Sequence, residues 1–310
     1  MHLFTALGVK PKEKAAATAL QWLSVQEATE EECHELATQY GIPVDYMTPV
    51  FNAHENPRVA GMADKSGAGL ILVRCPYQTT SKNGERTYAT SPLAIIIQDH
   101  LVTTVSPRKV AIHNRCVQMA DHAADPVVFA LSVLNLVFGQ FLNDTDQLAA
   151  QTQSMEIRVG NASHNTLLYE IMAVEKSLVF FTSALQDSQA IWPALQGAAY
   201  FAAEPAHREK LAIAERTAHQ AFTLAQSNLA ILDQYNATVS SVVSNNLNLI
   251  MKMLTSVSII MTIPSIIGSL WGMNTKVPWQ QSLTGFWLLL FATLLFCVAA
   301  AYWLHKKDYF

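Results

Sequence analysis

Two apolar stretches near the C-terminus set the terms on which this 310-residue chain can fold. Residues 251–270 read MKMLTSVSIIMTIPSIIGSL, with Lys252 as the sole charge, and residues 285–304 read GFWLLLFATLLFCVAAAYWL with none. At about 1.5 Å rise per residue, a helix of either length crosses a hydrocarbon core of roughly 30 Å. Only a short segment separates them, so the two are expected to form a membrane hairpin with Gly272 to Asn274 at its far mouth.

Charge is distributed to match. Almost all Asp, Glu, Lys and Arg residues precede residue 250, so a soluble domain is expected to ride on the hairpin. Apolar residues make up 51% of the chain, enough for a sizeable core, and a net charge of -4 is too small to imply a nucleic-acid partner. Cys33, Cys75, Cys116 and Cys297 show no paired spacing, which argues against a disulfide framework or a zinc site and for a reducing compartment. The opening residues MHLFTALGVKPKEK have neither the apolar core of a signal peptide nor an Arg-rich transit pattern, so the soluble part is expected to stay in the cytoplasm. Lys252 and the Lys306-Lys307 pair lie at the hairpin ends away from the loop, against Lys276 within it; the positive-inside rule then places both termini in the cytoplasm.

Residues 1 to about 120 read as mixed α/β. Strands are predicted at Leu20 to Val25, Leu70 to Cys75, Leu93 to Gln98 and Leu101 to Val105, all rich in Leu, Ile and Val and bounded by turn-forming residues. Thr29 with Glu32 forms a capping box, and Gly41 before Ile42-Pro43 ends the helix it opens. Ser81 to Arg86 reads as a hairpin turn around Asn83-Gly84. From Asp125 the pattern is helical. Val127 to Leu142 is apolar but short of the spanning length and is broken by Ser132, Asn135, Gly139 and Gln140, so a buried helix is predicted. Further helical sequence covers Gln147 to Val159 and Asn165 to Ile191, with Trp192-Pro193 as the stop.

After Glu204-Pro205 neither Pro nor Gly occurs until Pro264, so one helix is predicted from Ala206 into the membrane. Leu211, Ala218, Ala225, Leu232 and Val239 recur every seven residues, with Phe222, Leu229 and Val243 beside them, a seam for lengthwise packing either within the chain or around a symmetry axis. Further along, Asn248, Met251, Thr255, Ser258, Thr262, Ser265 and Ser269 follow at alternating spacings of 3 and 4, which keeps them on one face. Ile259, Ile260, Ile263, Ile266 and Ile267 lie mostly off it. Ser and Thr in membrane helices often satisfy the backbone four residues back or join helix to helix; an unbroken stripe points instead to a water-filled pore. Two spans per chain cannot enclose one, so several copies around an axis are implied.

The triplet Gly272-Met273-Asn274 at the end of the first span, Pro264 before it, and the string Asn-Asn-Leu-Asn-x-x-Met-Lys-x-Leu-Thr over Asn245 to Thr255 resemble the CorA family of magnesium channels. The likeness is sharp from about Glu175 onward. It implies five copies, with the first spans lining the pore and the second ones outside. It implies an ion filter at Gly272, Met273 and Asn274, in which Asn274 side-chain and Gly272 backbone carbonyls meet the metal ion; taken alone, Asn274 would read as a helix cap. It also implies a constriction at Met251 and Leu254, with Asn248 just below, where apolar rings would block ions by dewetting. Mg²⁺ holds its waters tightly, so a neutral oxygen ring can hydrogen-bond the hydrated ion without stripping it. Co²⁺ or Ni²⁺ are further candidates as cargo, and intracellular Mg²⁺ as regulator, held by carboxylates near the start of the long helix. Glu209 and Glu215 lie in that region with Ile213 between them, and no regulatory ligand is assigned. The loop TKVPWQQSLT departs from the family in lacking acidic residues, and Trp271 stands where Tyr or Phe is usual.

The expected molecule is an α+β membrane protein. A cytoplasmic α/β and helical domain covers residues 1–205, a stalk helix 206–249, the pore-lining span 250–271, an external loop 272–284, the second span 285–304 and a cytoplasmic tail 305–310. Its partners are further copies of itself and membrane lipid, with no other protein partner expected. Sequons at Asn143, Asn161 and Asn236 are chance matches in a cytoplasmic domain, and no metalloprotease or nucleophile-elbow motif supports an enzyme. Two other readings compete: a Zn²⁺ or other transition-metal transporter on the same scaffold, and a cytoplasmic sensor that uses the hairpin only as an anchor.

Overall fold

Short runs of β-branched and aliphatic residues build one mixed sheet in the computed structural model, which describes residues 2–5, 20–63, 67–81, 83–158, 164–202, 204–274, 277–278 and 282–307. Strands β1 (His2–Thr5), β2 (Gln21–Gln26), β3 (Arg58–Ala60), β4 (Gly69–Thr80), β5 (Arg86–Ile97) and β6 (Leu101–Ser106) lie in the order β1-β2-β6-β5-β4-β3. β1, β2 and β6 run parallel, and β6, β5, β4 and β3 pair antiparallel. The β4–β5 hairpin turns through Gly84, whose φ of 88° belongs to a region that favours glycine; of the predicted turn, Lys82 lies outside the described residues.

The four predicted strands are all present, and β4 and β5 extend to 12 residues each. Strands β1 and β3, at the two sheet edges, were not anticipated from sequence.

Both faces of the sheet are covered, which is why Leu93 to Ile97 form a continuous buried run rather than an alternating one. On one face Leu23, Val25, Leu70, Leu72, Ala94 and Ile96 pack with Cys33 and Ala37 of α1 (Glu30–Tyr40) and Met47 of α2 (Val44–Met47). The first turn of α1 is closed by its capping box: Glu32 N–H donates to Thr29 Oγ1 at 3.3 Å and Thr29 N–H to Glu32 Oε2 at 2.7 Å. Gly41, with φ of 65°, ends the helix in the left-handed conformation. Thr29→Ala should cost about 1 kcal/mol of local stability, read as faster hydrogen exchange of the α1 amides with the β5 amides unchanged.

After α3 (His113–Ala120), the other face is covered by α4 (Pro126–Arg158) and α5 (His164–Asp187). Trp22 meets Phe129 edge-on at 5.7 Å, and Phe181 packs against both Tyr88 and Phe141, at 5.7 and 5.0 Å. Ser177 Oγ accepts from Tyr88 N–H at 2.9 Å, and Tyr88 Oη donates to Gln147 at 3.0 Å, fixing both helices to β5. The segments predicted as two helices, Val127 to Leu142 and Gln147 onward, are one 33-residue helix; Val159 lies outside the described residues. α4 is long and apolar enough to cross a membrane, yet half of its most apolar window is buried within the chain, so the predicted core assignment holds.

Trp192-Pro193 does not stop a helix. α5 ends at Asp187, a 3₁₀ turn covers Ser188–Ala190, and Pro193 sits in the first turn of α6 (Ile191–Gly197), where its missing N–H would have had no helical partner. After α7 (Ala199–Ala202) comes α8, a 67-residue helix from Pro205 to Trp271, followed by α9, Leu283–Lys306. α9 thus begins two residues before the predicted start of the second span.

The chain divides into two units, 1–234 and 235–310. Within the first, Leu211, Ala218, Ala225 and Leu232 are buried, and Thr217 Oγ1 donates to Asn135 of α4 at 2.8 Å. Here the heptad seam serves packing inside the chain.

Candidate ion-conducting face of the membrane hairpin

Within residues 235–310, α8 and α9 each expose their apolar residues: only 6% of the most apolar window of either is buried. Both are long and apolar enough to cross a membrane, and side chains such as Leu288, Phe291 and Leu295 need lipid or other protein around them.

Pro264 lies inside α8 and cannot donate to the carbonyl of Ile260. The Cys297 thiol of α9 approaches that carbonyl at 3.8 Å. In a setting without water this contact satisfies a group the proline leaves over. It also fixes which side of α8 faces α9: Ser256 is fully buried, and Ile260, Ile263, Ile267 and Trp271 are half-buried along the same line. Pro264 also borders an apolar groove of about 760 Å³ with Trp287, Leu290, Phe291 and Leu294.

The polar stripe lies elsewhere. At about 100° per residue, Thr255, Ser258, Thr262, Ser265 and Ser269 centre roughly 150° from the line of Ser256, Ile260, Ile263 and Ile267. All five are exposed, as are Asn248, Met251 and Leu254 on the same side. Three hydroxyls do what Ser and Thr commonly do in apolar helices: Ser258 donates to Leu254 O at 2.8 Å, Thr262 to Ser258 O at 2.7 Å and Ser265 to Met261 O at 3.2 Å. Their protons are used, but the oxygens keep acceptor capacity on the outward side. The water shell of a cation presents hydrogens, so an acceptor row is the surface it can use.

At the end of α8, Gly272 N–H donates to Gly268 O at 2.9 Å, closing the last turn. A Cβ at Gly272 would sit 3.2 Å from that same carbonyl, tighter than ordinary contact. Gly272, Met273 and Asn274 are exposed. Of the loop beyond, Thr275, Lys276, Trp279, Gln280 and Gln281 lie outside the described residues, and so does the Asn161 sequon. Glu209 is exposed, and Glu215 accepts from Gln196 Nε2 at 3.0 Å.

Sequence reading missed Cys297. The signal was Pro264, which orphans a carbonyl four residues back, but which donor answers depends on the register of α9.

A layered α/β unit and an apolar two-helix hairpin with one polar face define an α+β membrane protein. The chain belongs to the CorA-like Mg²⁺ transporter protein family, matched over residues 17–306. The cobalt/magnesium transport protein CorA of Methanocaldococcus jannaschii is 22% identical over 279 residues, 87% of this chain and 85% of that protein. The complete structure of the CorA magnesium transporter from that organism superposes with a TM-score of 0.80 at 19% identity, covering 97% of this chain and 95% of the other. The full-length CmaX protein superposes at 0.57 and 15% identity, over 92% and 87%. The family resemblance read from Asn245 to Asn274 is borne out, and the structural likenesses carry the fold.

Proposed function

We propose that this chain is the subunit of a homopentameric channel for passive Mg²⁺ uptake across the cytoplasmic membrane, with both termini in the cytoplasm. The observation that carries the reading is the acceptor stripe on the side of α8 that α9 leaves open. A hairpin serving only as an anchor has no use for it. Copies arranged around an axis turn the stripe inward and keep α9 against lipid. Gly272 and Asn274 carbonyls at the outer mouth receive the hydrated ion, with Met273 setting the spacing between them, and Met251 and Leu254 form the apolar gate. Intracellular Mg²⁺ closes it. Co²⁺ is a second cargo, in keeping with the name of the Methanocaldococcus jannaschii relative, and Ni²⁺ a third. The membrane potential supplies about 2.3 kcal/mol per charge per 100 mV, doubled for a divalent ion.

The test is accessibility. In a background with Cys297 replaced by Ala, cysteines at Ser258, Thr262 and Ser265 should react with a membrane-impermeant thiol reagent, and cysteines at Ile263 and Ile267 should not. Equal reactivity on both sides of α8 would remove the pore and leave the anchored sensor.

A further inference from the structure

Within the 1–234 unit, three side chains able to ligate a cation meet where α8 begins. They are Asp125, Glu204 and His207, with ligand atoms all within 4.8 Å of one another. His207 is 3% exposed. Its Nδ1 lies 3.0 Å from the Tyr200 carbonyl, which can only accept, so Nδ1 carries a proton. That contact turns Nε2 toward the two carboxylates, 2.6 Å from Asp125 Oδ2 and 3.7 Å from Glu204 Oε2.

A ring held through one N–H on a backbone carbonyl while its other nitrogen faces acidic oxygens is the arrangement of a metal-bound imidazole. Asp125 is fixed as firmly. Its Oδ1 accepts from the N–H groups of Val127 and Val128, at 2.7 and 3.3 Å, so Oδ2 is the oxygen that meets His207 Nε2 at 2.6 Å, and a bound ion would replace the proton between them. Glu204 is exposed and lies on the solvent side, where water completes a coordination shell.

We propose that Asp125, Glu204 and His207 bind a divalent transition-metal ion, Zn²⁺, Co²⁺ or Ni²⁺, bridging the N-terminal ends of α4 and α8. The donor set sorts the ion: imidazole nitrogen suits these borderline metals, whereas Mg²⁺ takes oxygen ligands and keeps its waters. Metal–ligand bonds of about 2.0–2.2 Å put neighbouring ligand atoms about 3.3 Å apart, so Nε2 and Oδ2 need part by less than about 1 Å and Glu204 already lies within reach. Two carboxylates also offset the helix N-termini nearby, which by themselves disfavour a cation.

Co²⁺ titrated into the purified full-length protein, followed by visible absorption and calorimetry, tests this. One ion per chain should bind with the spectrum of a nitrogen-and-oxygen site. Zn²⁺ should displace it and a large excess of Mg²⁺ should not. Glu204→Gln, at an exposed position that leaves packing untouched, should weaken binding at least about ten-fold, and His207→Gln should remove the spectrum. The proposed filter offers only oxygen ligands, so a spectrum that shows nitrogen ligation reports this site whether or not the transport reading stands. No saturable Co²⁺ spectrum, equal binding in the wild type and Glu204→Gln, or displacement by Mg²⁺ as readily as by Zn²⁺ would each overturn the site.

Discussion

Asn274→Ala should abolish Mg²⁺ uptake into proteoliposomes while leaving the oligomer intact. In the proposed pore the Asn274 carbonyl of each copy accepts a hydrogen bond from the water shell of the entering ion. A hydrogen bond to a charged partner contributes about 1.5–3 kcal/mol, and about 1.4 kcal/mol is a factor of ten. Losing even one such contact predicts a ten-fold loss, and symmetry removes it from every copy at once. Asn274→Asp keeps the size and adds a negative charge per subunit; it should also lose flux, because an ion held too tightly does not leave. Parental flux from folded Asn274→Ala oligomers, with assembly checked by size-exclusion chromatography, would refute the filter.

How much of this was legible beforehand follows the range of the interaction. α1 was readable end to end because its signals are local: Thr29 and Glu32 cap each other, and Gly41 takes a left-handed φ. The length of α8 was readable because nothing between Pro205 and Pro264 breaks a helix. The polar stripe was readable because spacings of 3 and 4 are themselves helical geometry. Strands β1 and β3 were not, because three or four residues carry little pattern and their pairing partners, β2 and β4, decide the matter. Trp192-Pro193 misled because proline breaks a helix interior but suits a first turn, and the break lay upstream at Ser188–Ala190. The heptad seam fitted two kinds of neighbour until Asn135 of α4 met Thr217. The meeting of Asp125 with His207, 82 positions apart, had no sequence signal at all.

Polar replacements at the proposed gate should act in the opposite direction to those at the proposed filter. Met251 and Leu254 are 59% and 60% exposed in the single chain, on the side of α8 that carries the stripe. In the proposed assembly they would form adjacent apolar rings, and such rings keep water out of a narrow passage even when it is wide enough to admit it. Apolar side chains of this size favour leaving water by about 1.5–3 kcal/mol each. If Met251→Ser or Leu254→Asn lowers the wetting barrier by only one such increment, conduction through the closed state rises at least about ten-fold, since about 1.36 kcal/mol is a decade in rate. On the proposed gating, the difference should be largest with high Mg²⁺ on the side of the 1–234 unit, where the parent would be shut, and small with low Mg²⁺, where it would be open. Flux measured into vesicles at both internal concentrations separates a gate from a general change in conductance. A uniform change at both would mean a residue that merely lines the path, and unchanged or lower flux in both variants would move the gate away from Met251 and Leu254.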